Sequence, residues 1–407
     1  MGIFRTVRSV ARFSPLTISR RTRQLERAAN IGDLRVLAKR RLPRGIFDYI
    51  DGGAEDEVTM ARNSAAFHNY SFSPRVLRDV SAVDTSTTFL GQRLPYPIIF
   101  SPTGFTRIAH SDGELAVARV ADRHGLPYCL STLSTRSIEE VAQVSNGHKW
   151  FQVYVWRDRE LVKDMLARAH QQGYTAIMLT VDTAVLGRRE RDVRRGFTLP
   201  PTLGLGTIVD GIRHPSWTWD FVRHDPITFA NVSGYGGTSA GTAVTLSDFI
   251  SDQFDPALSW SDIEWFRAHW SGHIIIKGIQ STEDAALAQQ SGVDAIALSN
   301  HGGRQLDGAP TPLDLLSPVA DATNGELPLI CDGGIRRGSD IVKALALGAH
   351  ACTMGRAYLY GLGAAGEVGV ERALTMLTSE MTRTMQLLGA QRVSDLTTST
   401  VTHNFPS

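Results

Sequence analysis

Three segments of this chain hold residue types that can move protons and bind anions. In Ser299-Asn300-His301-Gly302-Gly303-Arg304-Gln305-Leu306-Asp307 a histidine and an arginine stand three residues apart among glycines. Such an arginine can clamp a carboxylate through two parallel hydrogen bonds, while the histidine removes a proton from the carbon or oxygen beside it. A purely structural histidine is the alternative. Lys277 ends the otherwise apolar run His273–Ile279 (HIIIKGI). A buried ammonium is costly unless it meets an anion, so Lys277 is either a Schiff-base nucleophile or a fixed cation beside a cofactor. Asp332-Gly333-Gly334-Ile335-Arg336-Arg337 and Gly355-Arg356 both join glycine to arginine. Glycine lets backbone N–H groups approach an oxyanion and arginine adds bidentate charge, which suits a phosphate; tight turns with solvated arginines are the alternative. Asp182 is suited to orient His301 and to stabilise its imidazolium.

These residues share a position: each follows or closes a short apolar run. The runs are Pro97–Gly104, Pro127–Thr132, Lys149–Val155, Ala176–Asp182, His273–Ile279, Ala295–Asn300, Pro328–Gly334 and Ala351–Arg356. They are continuously apolar rather than alternating, as strands buried on both faces must be. Segments of helical period lie between them, opened by Asp112, Ser137, Asp158, Ser281 and Ser339-Asp340. Eight β–α units predict an α/β fold, a (β/α)8 TIM barrel, with a doubly wound sheet as the runner-up. The barrel is expected over 31–390, with helical stretches at 31–41 and 44–69 ahead of it. Residues 1–30 read as a basic tail and 391–407 as a C-terminal tail. About ninety residues, 183–272, separate the fourth run from the fifth, too many for a structureless loop. They are expected to hold helices at Ser247–Phe254 and Ser261–His269 and to cover the active site. Barrel active sites lie at the strand C-termini. There the sequence puts Thr103, Gly104, Ser131, Thr132, Gln152, Tyr154, Thr180, Asp182, Lys277, Ser299, His301, Arg304, Asp332, Gly334 and Arg356.

Composition narrows the class. The 407 residues carry 42 Lys+Arg against 41 Asp+Glu, so no basic field recommends nucleic acid as a partner. Three cysteines, none in a CxxC pair, point to a reducing compartment and away from a disulfide scaffold or a cysteine zinc site. No metal is expected: HExxH is absent and His301 has no second histidine at ligand spacing. No run of ~18 apolar residues marks a membrane span. Charge is uneven, however. Residues 1–30 hold seven arginines and one acid, net +6, leaving −5 for the rest. This segment reads as a disordered tail, an anionic-membrane contact or an organellar transit peptide. Trp217, Trp219 and Phe221 read either as a lipid contact or as a local core cluster. Gly361–Gly366 matches GxGxxG but lies outside the first βαβ unit that a nicotinamide fingerprint requires.

Five motifs together resemble the FMN-dependent α-hydroxy-acid dehydrogenase/oxidase family. They are DYIDGGAEDE (48–57), FQVY (151–154), LTVDTAVLGRRERD (179–192), SNHGGRQLD (299–307) and DGGIRRGSDIVKALALGA (332–349). The insertion segments HPSWTWDFV (214–222) and FDPALSW (254–260) are similar to those of membrane-associated bacterial L-lactate dehydrogenases. The resemblance implies a (β/α)8 barrel with FMN at the strand C-termini. It implies that His301 takes the proton of an (S)-2-hydroxy acid, with Asp182 paired to it and Tyr154 near the reacting oxygen. Tyr49, Arg304 and Arg189 would hold the substrate carboxylate. Lys277 would sit by the flavin pyrimidine edge. Ser131, Gln152, Thr180 and Ser299 would contact the isoalloxazine, with the Thr103-Gly104 backbone beneath it. Asp332, Gly334, Arg336, Gly355 and Arg356 would complete the cofactor site, the last four at the phosphate.

The same resemblance carries the remaining expectations. Plant-type glycolate oxidases have alanine at the Gly104 position and tryptophan at that of Leu133, which favours a quinone or other membrane carrier over O2 as electron acceptor here. A hydroxy-acid oxidase using O2 stays the alternative. Phe105 and Leu133 suggest a pocket for a methyl group, hence L-lactate first and mandelate second. A homo-oligomer, a tetramer, and a cytoplasmic enzyme peripheral on the inner face of the cell membrane are expected, with a mitochondrial address as the alternative.

Overall fold

The computed structural model describes residues 20–195, 205–232 and 253–404. All eight apolar runs become strands: β1 Ile98–Phe100, β2 Tyr128–Ser131, β3 Lys149–Tyr154, β4 Ala176–Thr180, β5 His273–Ile279, β6 Ala295–Ser299, β7 Leu329–Asp332 and β8 Ala351–Met354. Each pairs in parallel with the next, and β8 pairs with β1, so the sheet closes into a barrel. Nearly every strand residue is buried, which explains the unbroken apolar runs: the inner face fills the barrel and the outer face packs under helices. Register then aligns the polar strand ends. Ser131 lies beside Gln152, Tyr154 beside Thr180, Thr180 beside Lys277, and Ser299 beside Asp332.

The helices begin where side chains can cap them. Ser137 and Glu140 form a reciprocal capping box, and Asp158, Ser281 and Thr311 each accept a first-turn N–H. The GxGxxG match lies at the end of the helix Arg356–Ala365, where a side chain at Gly361 would strike the Gly369 carbonyl. Gly361 therefore serves helix packing, Gly363 lies against Ala38 and Leu42 at the end of another helix, and the match forms no dinucleotide loop.

The ends of the chain differ from expectation. The stretch 44–69 is not continuous helix. It divides into Arg44–Asp51, Val58–Ala65 and a 3-10 turn at Ala66–Asn69. The break falls at Gly52-Gly53, whose backbone is taken up by the site described below. Part of the basic segment, Arg20–Arg27, is helical and leads into buried Leu25 and Ala28, with Ala28 O accepting from Arg372 at 2.8 Å. Residues 391–404 do not trail away: Val401–His403 pairs antiparallel with Tyr70–Phe72.

In the insertion, helices run over Glu190–Arg195, Leu205–Arg213, Pro215–Arg223 and Asp262–His269. The helix expected at Ser247–Phe254 lies mostly outside the described residues. The aromatic cluster separates into two roles. Trp217 faces inward, its Nε1 donating to Ile108 O at 2.8 Å, with Phe221 stacked on it at 4.8 Å. Trp219 faces outward and is 60% exposed.

Candidate active site

One cavity of about 480 Å³ opens at the C-terminal ends of the strands. Every residue singled out for catalysis, substrate or cofactor lines it except Asp182 and Ser299, which stand directly behind the wall. His301 has a left-handed backbone, φ +56°, unusual for a residue with a side chain and frequent at functional turns. Its Nδ1 lies 3.0 Å from Asp182 Oδ1. With Nδ1–H donated to the carboxylate, the lone pair is on Nε2, which makes Nε2 the basic nitrogen. Burial works against the charge on Asp182, but His301 and Lys277 outweigh it and hold its carboxyl below the usual range.

Lys277 and Asp332 form a buried pair at 2.9 Å. Ser299 Oγ joins them: it donates to Asp332 at 2.7 Å and accepts from Lys277 Nζ at 2.9 Å and from the His301 N–H at 3.1 Å. Thr353 donates to the other Asp332 oxygen. Burial favours neutral Lys277, yet Asp332 and Asp182 more than reverse it and raise its pKa. Burial likewise opposes the Asp332 charge, but Lys277 and the hydroxyls hold that carboxyl at about 2. An ammonium held charged by a carboxylate 2.9 Å away is a poor amine nucleophile, which favours the fixed-cation reading of Lys277 over the Schiff-base one.

The anion-binding end is built on the Gly52-Gly53 break. Arg304 donates through Nη1 to Tyr49 O at 2.8 Å and Gly52 O at 2.9 Å. No other hydrogen bond holds its guanidinium among the described residues, so Nε and Nη2 remain for a ligand. Burial, then Arg189 and Arg356, push its pKa down to about 9. A partly desolvated cation crowded by other cations would gain from an anionic partner. The Arg304 and Arg189 guanidinium carbons each lie 5.2 Å from the centre of the Tyr49 ring. Burial lifts the Tyr154 phenol to about 12, so it stays a hydrogen-bond donor. Arg356 also lines the cavity, but three of its nitrogens donate to Ile50 O, Gly302 O and Gly52 O. It braces the N-terminal turn against the His301 loop.

The donor set suits a flat heteroaromatic cofactor with a phosphate tail. Gln152 Nε2 donates to Thr180 Oγ1 at 2.9 Å, Ser131 donates to Gln152 Oε1 at 3.0 Å, and Lys277 adds a fixed charge on the same side. Gly333 and Gly334 have φ of +150° and +80°, and the helix starting at Arg356 has no side-chain cap. Backbone N–H groups there, with Arg336, would suit an oxyanion.

Some site residues carried no clear sequence signal. Gly278 follows Lys277 at an irregularity of β5, with φ +114°, and a Cβ there would lie 2.8 Å from the Asp182 Cβ. The glycine in HIIIKGI was the available sign of a close approach. Phe229 and Phe254 also line the cavity; nothing in the local sequence marks Phe229, and the FDPALSW segment that opens at Phe254 gives no sign that its ring enters the site.

A family model described as FMN-dependent dehydrogenase matches residues 38–403. The chain belongs to that family. FMN is therefore its cofactor, and the Gln152–Thr180–Lys277 wall and the Gly334–Arg336 turn are the groups that would hold it. Among the relatives of this FMN-dependent dehydrogenase is the L-lactate dehydrogenase of Haemophilus influenzae, 42% identical over 90% of this chain and 96% of its own. The (S)-mandelate dehydrogenase of Pseudomonas putida is 41% identical, over 90% and 92%. Among solved structures, the monotopic membrane protein (S)-mandelate dehydrogenase superposes with a TM-score of 0.89. It is 40% identical, over 93% of this chain and 100% of that one.

Proposed function

We propose that this FMN-dependent dehydrogenase oxidises an (S)-2-hydroxy acid, L-lactate first, to the 2-oxo acid. The observation that carries the reading is the pairing, in one cavity, of a carboxylate-backed histidine with a half-buried arginine whose outer edge is free for a ligand. Arg304 clamps the substrate carboxylate, with Arg189 and Tyr49 beside it. That orientation brings the C2 hydroxyl and hydrogen toward His301 and Tyr154. His301 Nε2 takes the proton, and Asp182 stabilises the imidazolium as it forms. Tyr154, held protonated, donates to the reacting oxygen. Of the two hydrogens lost with two electrons, His301 takes one as a proton; FMN, when bound, would supply the acceptor for the electrons and the other hydrogen, and Lys277 would hold a positive charge beside it. The test is anaerobic addition of L-lactate to the purified flavoprotein. Bleaching of the flavin bands supports the proposal; no bleaching by lactate, glycolate or mandelate defeats it.

We further propose that the electrons pass to a quinone or other membrane carrier and that the enzyme sits on the cytoplasmic face of the membrane. Two observations support a peripheral contact. Trp219, Val222 and Ile212 are exposed beside Arg213 and Arg223, an apolar and cationic face suited to an anionic lipid surface. The monotopic relative is the second. Among the described residues no helix is long and apolar enough to cross a membrane. Co-sedimentation with phosphatidylglycerol vesicles should fall when Trp219 and Val222 become serine; unchanged binding would place the contact elsewhere. The homo-oligomer implied by the family resemblance is tested by sedimentation equilibrium of the holoenzyme.

A further inference from the structure

A 2-hydroxy acid offers three groups on C2: carboxylate, hydroxyl and a variable substituent. Arg304 and His301 account for the first two, so the substituent meets the remaining apolar wall, where aromatic rings stand beside aliphatic side chains such as Leu133. Phe105 continues from Tyr49 at 6.5 Å between ring centres, and Phe229 continues from Phe105 at 5.4 Å. On the other side Phe254 sets its ring against Tyr154 at 5.2 Å. Phe229 and Phe254 both come from the insertion and are almost fully buried.

Both are anchored to the barrel rather than carried on free loops. Beside Phe229, Asn231 is wholly buried. Its Oδ1 accepts the Ile138 N–H at 2.9 Å and its Nδ2 donates to Ser134 Oγ at 2.9 Å. The Ala230 N–H donates to Ser134 O at 3.1 Å. Phe254 forms an antiparallel bridge with Trp156, just beyond β3, and Gln253 accepts the Arg157 N–H at 2.9 Å. These bonds fix the backbone from which both rings project, and the rings' own burial limits how far they can turn away.

We infer that Phe229 and Phe254 are specificity-determining residues that set the upper size of the group on C2 of the substrate. The inference rests on the hydroxy-acid reading above and names residues for it. Removing a ring opens apolar volume inside a pocket whose polar end is unchanged. A single methylene in such a pocket is worth roughly 10–200-fold in discrimination.

The experiment compares kcat/KM for L-lactate, (S)-2-hydroxyhexanoate and (S)-mandelate in the holoenzyme and in Phe229→Ala and Phe254→Ala. The mandelate-to-lactate ratio should rise at least about tenfold in each variant, mainly through a lower KM for mandelate. Calorimetric binding of benzoylformate and pyruvate should change in the same direction without turnover. A ratio within about twofold of wild type in folded, flavin-loaded variants overturns the inference. Where an alanine variant fails to fold, Phe→Leu at the same position must shift the ratio in the same direction, and an unchanged ratio there overturns it equally. If none of the three acids bleaches the wild-type flavin, the hydroxy-acid reading itself has failed, whatever the variants do.

Discussion

Replacing Asp182 by asparagine tests the heart of the proposed chemistry. The Asp182 side chain is 2% exposed, and its Oδ1 is 3.0 Å from His301 Nδ1. Asparagine keeps the shape and can still accept the Nδ1–H bond, but it carries no charge to offset the imidazolium. Opposite unit charges about 4 Å apart gain ~4 kcal/mol at an effective dielectric near 20. Each ~1.4 kcal/mol of barrier is tenfold in rate, so D182N should reduce the flavin roughly 1,000-fold more slowly. The lactate KM should change little, because Arg304 does not touch Asp182. The assay is anaerobic stopped-flow bleaching at saturating L-lactate, with flavin content and thermal unfolding measured on the same sample. Reduction within tenfold of wild type by a folded, flavin-loaded D182N would refute the role given to the pair.

Gly278→Ala should mimic that loss by displacement, since its Cβ would press on the Asp182 Cβ at 2.8 Å; native reduction rates would mean that Asp182 need not be placed so closely. Arg304→Lys forfeits the planar fork and its charge-assisted bonds, worth ~1.5–3 kcal/mol, so lactate KM and oxalate Ki should rise roughly 10–150-fold while kcat falls less. A KM within threefold of wild type would count against the clamp. Asp51 takes two bonds from Arg35, at 2.5 and 2.7 Å, and one from Tyr360 at 2.7 Å. Burial opposes its charge, but these partners hold its carboxyl at about 2 against 3.8 in an unfolded chain. A depressed carboxyl stabilises the fold above its unfolded pKa and loses that contribution as pH falls through the folded one. The stability advantage of wild type over Asp51→Asn in urea should therefore narrow by ~1 kcal/mol between pH ~6 and ~3; a constant gap would show that the pairing is not the source.

The barrel could be read from the sequence because burial on both faces leaves an unmistakable mark: eight apolar runs, each with polar residues or glycine at or near its C-terminal end. Closing the barrel brings those polar ends together, which is why His301, Lys277, Gln152 and Arg336 share a cavity although they are far apart in the chain. What could not be read depends on distant partners. The break at Gly52-Gly53 has its reason in two arginines some 250 and 300 residues later. Phe229 is fixed by Asn231, a buried side chain in a stretch without periodicity. Val401–His403 is too short for any pattern and exists as a strand only because Tyr70–Phe72 is beside it.

The same long-range closures order events during synthesis. The turn at 49–53 leaves the ribosome long before Arg356, and Tyr70–Phe72 long before its partner strand, each gap exceeding 300 residues. At ~5–20 residues per second, the N-terminal segment waits roughly 15–60 s for the groups that hold it. The nascent chain thus lacks a braced turn at 49–53, and the cavity acquires its full set of walls only after Arg356 has emerged. A chain shortened at its C-terminus would fail first at its N-terminus, with protease cuts between residues 40 and 75 as the visible sign.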